Sequence, residues 1–328
     1  MKTFKTVANN LNVLFKRNTV QRMHITKIVE HIHLIDLEPA GIEDFIASYV
    51  LIGKNVAIVE TGSASTVQNL LSGLKKLNVK PEEVAYVAVS HIHLDHSGAV
   101  GSLFKYLPKA KLIVHQRGSP HAANPEKLWA QSKKALGSLA QVYGEPELVP
   151  EERIIAATDD MVFDIGKNIK LKVIETLGHA SHHLAYYETL SQGIFTGDAA
   201  GIYLKKFDTV VPTTPSPYRL DIAFKSLKKL INLKPQFLYY SHFGKAYNSV
   251  EKLQAYIRQL KLWEEIAKQG IEKGENLRAI SKRIIENDVA LQKVEKYIKS
   301  HPILSKTILD QSVEGVIKYV ERMYTQKP

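Results

Sequence analysis

Residues 90–101, SHIHLDHSGAVG, place three histidines and one aspartate within six consecutive positions. They directly follow VAYVAVS, a short apolar run that we predict to be a buried strand. In an extended loop His91, His93 and Asp95 project to one side, and His96 turns to the other as the next helix begins. A loop of this kind at the end of a strand can serve two metal ions. It cannot complete either coordination sphere by itself.

The remaining ligands must come from elsewhere in the chain, and three candidates each follow a predicted strand. His179 comes after VIETLG, Asp198 after GIFTG and His242 after FLYYS. Each has a glycine or another small residue beside it, which lets the backbone crowd around a site. The chain contains no cysteine, so a transition metal must be held by histidine, aspartate or glutamate.

The pattern of strands and helices indicates an α/β fold. ITKIVEHIHLID is predicted as one strand, and FIASYVLIG with NVAIVETGS as a hairpin that turns at Gly53. Strands and helices then alternate, which is typical of α/β proteins. Prolines bracket the helical stretch EKLWAQSKKALGSLAQVYG, and we interpret residues 117–150 as an insertion that could form a lid.

Strand patterns end near residue 248. SVEKLQAYIRQLKLWEEIAKQG, ENLRAISKRIIEN and SKTILDQSVEGVIKYVERM are predicted as amphipathic helices. We therefore divide the chain into a basic, poorly ordered extension (1–23), a catalytic domain (24–248) and a helical C-terminal region (249–328). The extension lacks the apolar stretch of a signal peptide.

The net charge of +11 raises the question of nucleic-acid binding, but the charge is mostly peripheral. Residues 24–250 hold 24 Lys and Arg against 22 Asp and Glu, which leaves only +2 on the region with the candidate ligands. Apolar runs are too short for a membrane span, so the sequence predicts no membrane crossing. We expect a cytoplasmic protein.

The order of the motifs HxHxDH, GHASHH, TGDAAG and SHFG resembles the metallo-β-lactamase-fold superfamily, nearest to its glyoxalase II-like hydrolases, over about residues 25–248. The resemblance implies a four-layer αββα sandwich with metals at one edge between the sheets. It further implies that His91, His93 and His179 bind a first metal, that Asp95, His96 and His242 bind a second, and that Asp198 bridges them. His183 would support the ligands through a hydrogen bond.

One position departs from the family pattern, and two branches of the family can be argued against. The family usually has an aspartate at the end of an early strand to organise the metal loop, whereas IVETGS presents Glu60. The diiron flavoprotein branch replaces the second motif histidine by an acid, so His93 argues against redox chemistry. True β-lactamases with a cysteine ligand need a thiolate that this chain lacks.

Two divalent ions roughly 3.5–4 Å apart could hold a bridging hydroxide and polarise a carbonyl or phosphoryl oxygen. Asp198 would span both ions, and Asp95 could pass a proton to the leaving group. Zinc is our first choice, with iron or manganese as alternatives. The predicted reaction is hydrolysis of an ester, thioester or lactone in a small-molecule substrate. His121, Tyr203 and Tyr218 are candidate substrate contacts.

Two other functions stay open at this point. An RNA-cleaving nuclease of the same fold would use the basic extension and tail to grip phosphates, although the near-neutral region 24–250 argues against it. A metal-binding scaffold would instead dock a partner through the helical tail. That tail could also contribute to a substrate pocket or form a homodimer through the apolar stripe in LQAYIRQLKLW.

Overall fold

The structure is a computed structural model that describes residues 24–325. The chain divides into two compact units, and the boundary between them follows Val173. We refer to them as unit 1 and unit 2. The predicted extension, residues 1–23, lies outside the described residues. The predicted boundary between a catalytic domain and a helical region, after residue 248, lies elsewhere in the chain and stays a prediction.

Unit 1 contains a seven-stranded sheet whose strands lie in chain order. The strands are β1 (Ile25–Val29), β2 (Ile32–Asp36), β3 (Ala47–Ile52), β4 (Val56–Val59), β5 (Val84–Ala88), β6 (Lys111–His115) and β7 (Ile154–Ala157). Strands β1 to β4 pair antiparallel, and β4 to β7 pair parallel. An antiparallel hairpin follows, formed by β8 (Val162–Gly166) and β9 (Ile169–Glu175). The carboxyl ends of the parallel strands meet at one edge, where α/β sheets carry their sites.

The first part of the chain corrects one prediction. ITKIVEHIHLID is not a single strand, because the chain turns at Glu30 and His31 and pairs β1 with β2, with Ile25 opposite Ile35. Folding back places β2 between β1 and β3, so its backbone groups find hydrogen-bond partners on both sides. The predicted turn at Gly53 is present, and a Cβ there would lie 2.5 Å from the carbonyl oxygen of Ile165.

The helices of unit 1 follow the strands as the alternating pattern predicts. They are α1 (Val67–Lys76), α2 (Leu94–Ser97), α3 (Val100–Phe104), α4 (Ser119–Ala123), α5 (Glu126–Leu136) and α6 (Ser138–Tyr143). The predicted lid therefore consists of three helices, and Gly137 at φ 60° separates the last two. Trp129, Ala140 and Tyr143 of this insertion form a buried apolar cluster with Leu94. The insertion is thus anchored on the loop that carries His93 and Asp95.

Unit 2 begins with the end of β9 and contains a set of four paired strands and a small hairpin. The four strands are β10 (Leu184–Glu188), β11 (Gly193–Gly197), β14 (Phe237–Tyr240) and β15 (Gly244–Ala246). They pair in the order β15-β14-β11-β10, with the central pair parallel and the outer pairs antiparallel. The hairpin joins β12 (Ile202–Leu204) to β13 (Thr209–Val211), which the sequence pattern does not predict.

The rest of unit 2 is helical, as predicted for the C-terminal region. Its helices are α7 (Leu220–Asn232), α8 (Ser249–Glu272), α9 (Leu277–Asn287), α10 (Val289–Ser300) and α11 (Val313–Thr325). Helix α10 is not predicted by the sequence pattern, and residues Ser305–Ser312 form a π-helical segment instead of the expected α-helix. Among residues 24–325, no helix is both long and apolar enough to span a bilayer.

Candidate metal centre

The predicted metal-binding loop, residues 90–96 and called the metal loop below, follows β5 in unit 1. His91 and His93 lie in irregular chain, and their Nε2 and Nδ1 atoms approach to 2.8 Å. Helix α2 begins at Leu94, so Asp95 and His96 are helical and not extended. The Nε2 of His96 lies 4.0 Å from Oδ2 of Asp95. His91 and His96 are almost completely buried, whereas 22% of the Asp95 side chain is exposed.

The inner nitrogens of two of these histidines hydrogen-bond to buried oxygens. Nδ1 of His91 lies 2.9 Å from Oγ of Ser90, and Nδ1 of His96 lies 3.1 Å from Oε2 of Glu60. A carboxylate can only accept, so His96 donates its Nδ1 proton and its Nε2 carries the lone pair. This is the usual arrangement of a metal-binding histidine, in which the second nitrogen is held by an oxygen.

Glu60 occupies the position where the family usually has an aspartate. It follows β4 with a left-handed φ of 66°, and it is 1% exposed. Its Oε1 accepts a hydrogen bond from the amide of Ser90 at 3.1 Å while Oε2 accepts from His96. The longer side chain thus spans the start and the end of the metal loop.

Unit 2 holds the other three predicted ligands around one carboxylate. Oδ2 of Asp198 lies 3.5 Å from Nε2 of His179, and Oδ1 lies 3.8 Å from Nε2 of His242. Nδ1 of His179 donates to the carbonyl oxygen of Thr213 at 3.0 Å, which leaves the lone pair on its Nε2. One carboxylate with a different oxygen toward each imidazole suits a bridging role.

His183 lies behind Asp198. The amide of Asp198 donates to Nε2 of His183 at 3.0 Å, so the imidazole carries its proton on Nδ1 and donates it to Oγ1 of Thr176 at 2.8 Å. The ring is completely buried. His183 therefore holds the backbone from which the Asp198 carboxylate extends.

The three candidate substrate contacts are placed in packed surroundings. Tyr203 is 6% exposed, donates its hydroxyl to Asp208 at 2.7 Å, and exchanges backbone hydrogen bonds with the His242–Phe243 segment. Burial raises the pKa of Tyr203, and burial also raises that of Tyr218, which is 1% exposed. His121 is half-buried and lines a small, mostly apolar cavity of about 20 Å³ in unit 1. Their roles toward a substrate stay predictions.

The structure adds residues that sequence reasoning missed. Ser90 had a signal, since it adjoins His91, but Thr213 had none because its contribution is a backbone carbonyl. A further group in unit 1, His24, Asp36 and Glu38, has ligand atoms within 4.8 Å of one another. Both oxygens of Asp36 accept backbone amides, from Glu38 and Asp44. This group therefore organises the chain after β2.

Comparison with known proteins identifies the family. The family model of the metallo-beta-lactamase superfamily matches residues 41–242. The chain belongs to this superfamily. A metallo-beta-lactamase fold-containing protein of Sulfurisphaera tokodaii is 29% identical over 240 residues, covering 72% of this chain and 86% of that protein. This match agrees with the motif order read from the sequence.

Two further matches concern the fold and the chemistry of the superfamily. A metallo-beta-lactamase family protein of Thermus thermophilus covers 91% of this chain and 95% of its own, with a TM-score of 0.66 and 20% identity. That likeness confirms the predicted fold class. An N-acyl homoserine lactonase of Azorhizobium caulinodans is 29% identical over 136 residues, covering 40% of this chain and 48% of the lactonase.

The donor atoms of this metallo-β-lactamase superfamily member fit divalent metal ions. The seven predicted ligands are five histidines and two aspartates, and all of them count among the residues that could hold a metal ion. Such a set suits zinc, iron or manganese, and it needs no thiolate. The oxygen partners of His96 and His179 further prepare these rings for a metal.

Proposed function

We propose that this chain is a binuclear metal-dependent hydrolase that cleaves an ester, thioester or lactone bond. The observation that carries the proposal is the tautomer of two buried histidines. His96 donates its Nδ1 proton to Glu60, and His179 donates its own to Thr213. Both rings therefore turn a lone pair away from their protein partners, as metal ligands do.

In this proposal the ligands divide as the family resemblance implies. His91, His93 and His179 would hold one ion, and Asp95, His96 and His242 would hold the other. Asp198 would serve both ions, in keeping with the separate approach of its two oxygens to His179 and His242. Zinc is the proposed metal, because it accepts this mixed donor set without a preference for a particular geometry.

Bound divalent ions supply Lewis acidity for a carbonyl oxygen and a nucleophile at neutral pH. The chain's own residues hold and move the protons. Asp95 is partly exposed and can carry a proton from the nucleophile to the leaving group. Glu60 carries a charge that stabilises the donated proton of His96, which makes the opposite nitrogen a better donor to a metal. His183 fixes the backbone of Asp198.

Two observations support a carbonyl substrate. Part of the chain is similar to a protein named as an N-acyl homoserine lactonase, and lactones and thioesters share an electrophilic carbonyl. Residues 24–250 carry 24 basic against 22 acidic side chains, a balance that suits a substrate with few phosphates. The glyoxalase II-like resemblance read from the sequence adds acylated thiols to the substrate class.

A substrate screen on protein reconstituted with defined metals tests the proposal. Metal content is measured first, and acylglutathione-type thioesters, lactones and p-nitrophenyl esters are then assayed with zinc, iron and manganese forms. We expect about two ions per chain and turnover of at least one class. Loss of turnover in every metal-loaded form would refute the hydrolase. RNA cleavage together with salt-sensitive RNA binding would point to the nuclease instead.

A further inference from the structure

The peptide unit between Thr213 and Thr214 links the metal-ligand candidate His179 to the C-terminal helices. Its carbonyl oxygen accepts the Nδ1 proton of His179 at 3.0 Å. Its amide belongs to Thr214 and donates to Oγ of Ser312 at 3.1 Å. Because a peptide unit is planar and rigid, holding the amide at one end also orients the carbonyl at the other.

Ser312 is itself held firmly at the end of the π-helical segment. It is 1% exposed, and its Oγ donates to the carbonyl oxygen of Thr307 at 2.7 Å. Its own carbonyl oxygen accepts from Oγ1 of Thr214 at 2.6 Å. With its proton committed to Thr307, the Ser312 hydroxyl oxygen presents a lone pair to the amide of Thr214. π-helical turns occur frequently at functional sites.

Gly315 allows this close approach. A Cβ at this position would lie 1.7 Å from the carbonyl oxygen of Thr214, which no side chain could tolerate without moving the backbone. The first turn of α11 therefore packs directly on the 213–214 segment. Ser312 and Gly315 together fix that segment in place.

These contacts form one continuous series of hydrogen bonds. It runs from Nδ1 of His179 through the 213–214 peptide to Oγ of Ser312 and on to the carbonyl of Thr307. All donors point the same way along the series, so each bond polarises the next and strengthens it. A stronger acceptor at Thr213 holds the His179 proton on Nδ1 and makes Nε2 a better ligand.

We propose that Ser312 is a positioning residue of the metal site, which sets the tautomer and orientation of His179 through the 213–214 peptide. The inference rests on the proposed function of His179 as a metal ligand. It assigns the C-terminal helical region a direct part in building the site. Ser312 lies 133 residues after His179 in the chain.

The test compares Ser312→Ala with Val320→Ala. Val320 is a buried residue of α11, 4% exposed, so its truncation weakens the same helical region without removing a side-chain hydroxyl. Zinc affinity is measured by chelator competition, and the protonation of His179 in the metal-free protein by imidazole ¹⁵N spectroscopy. We expect Ser312→Ala to weaken zinc binding by about 10-fold or more and to populate the second tautomer. Val320→Ala should match the wild type in both measurements.

Two further variants make each outcome decisive. Ser312→Cys replaces the hydroxyl by a slightly larger thiol, which is a weaker donor and acceptor, so it should fold even if Ser312→Ala does not, with a smaller loss of affinity. Wild-type zinc affinity and tautomer in a folded Ser312→Ala or Ser312→Cys protein would overturn the inference. His179→Ala separates the two proposals: if it binds zinc like the wild type, the assigned role of His179 is wrong. If His179→Ala loses affinity and the Ser312 variants do not, only the present inference fails.

Discussion

Oε2 of Glu60 and Nδ1 of His96 lie 3.1 Å apart, and both residues are 1% exposed. The two residues are 36 positions apart in the chain. The other oxygen of Glu60 accepts the amide of Ser90, so one carboxylate connects both ends of the metal loop. A buried carboxylate that accepts from a histidine raises the basicity of the opposite ring nitrogen.

Glu60→Gln tests this relationship. The amide keeps the shape of the side chain but removes its charge, and its NH₂ group faces a donor at one of the two contacts. We expect metal affinity, or kcat/KM with saturating metal, to fall by about 10- to 100-fold. The exposed Glu82, changed to Gln, is the matched control. Wild-type affinity in Glu60→Gln would show that the loop forms without the charge.

Asp198→Ala distinguishes an enzyme from a scaffold. The carboxylate lies between the Nε2 atoms of His179 and His242, and alanine leaves neither contact. We expect turnover to fall on the order of 10³-fold or more, since the proposal assigns this one carboxylate to both ions. Asp221→Asn, at an exposed ion pair with Arg219, should keep its activity. The scaffold hypothesis would be supported if the wild type showed no turnover but bound a partner, and if Asp198→Ala bound that partner equally well.

Asp288 provides a stability test in the helical region. It is 2% exposed and caps α10, with Oδ1 accepting the amides of Ala290 and Leu291 and Oδ2 accepting from Gln259 and Trp263. Asp288→Ala leaves four donors without their acceptor, and we expect the free energy of unfolding to fall by about 3 kcal/mol or more.

Asp288→Asn refines that test. It can keep Oδ1 as the cap while it loses the acceptor for the two side-chain donors, so its free energy of unfolding should lie between those of the wild type and Asp288→Ala. Urea unfolding followed by circular dichroism measures all three. Equal stability of the two variants would mean that the cap contributes little.

Asp36 makes stability depend on pH. Burial raises its pKa to about 6, against the backbone hydrogen bonds from Asp44 and Glu38 that lower it. Because the folded-state pKa exceeds the unfolded value of 3.8, the folded state binds the proton more tightly. The resulting contribution to the free energy of unfolding is fully present below the unfolded pKa of 3.8, and it is lost as pH rises through about 6.

Asp36→Asn removes this pH-dependent contribution to the free energy of unfolding. Between pH 7 and pH 5 the wild type should gain about 1 kcal/mol of stability relative to Asp36→Asn. The measurement is urea unfolding of the metal-free proteins at both pH values, with the exposed Asp164→Asn as the control. A constant difference between wild type and Asp36→Asn across this range would contradict the raised pKa.

Much of the architecture follows from patterns that are local in the chain. The apolar runs of β4 and β5 predict buried strands, and the histidine spacing in the motif after β5 indicates a metal-binding loop. The amphipathic spacing of apolar residues in α8, α9 and α11 predicts the C-terminal helices. The resemblance to the metallo-β-lactamase superfamily, which was read from four short motifs, is confirmed by the family match.

Other features depend on contacts between distant residues, and no local pattern reveals them. The hairpin of β1 and β2 places β2 between two antiparallel partners, β1 and β3, although the sequence pattern predicts one strand. Glu60 could be recognised as a departure from the family, but its two hydrogen bonds depend on where β4 and the metal loop meet. Thr214 and Ser312 are 98 residues apart, and a threonine and a serine carry no signal of their hydrogen bond.

The sequence by itself therefore determined the family, the fold class and the candidate ligands, because these depend on residue type and short spacing. Only the tertiary structure decided which oxygen holds each histidine: Glu60 for His96, and the Thr213 carbonyl for His179. The physical reason is that a ring's tautomer depends on the group that lies next to it in space. In unit 2 that group is a backbone carbonyl, and its orientation is set by a serine near the end of the chain.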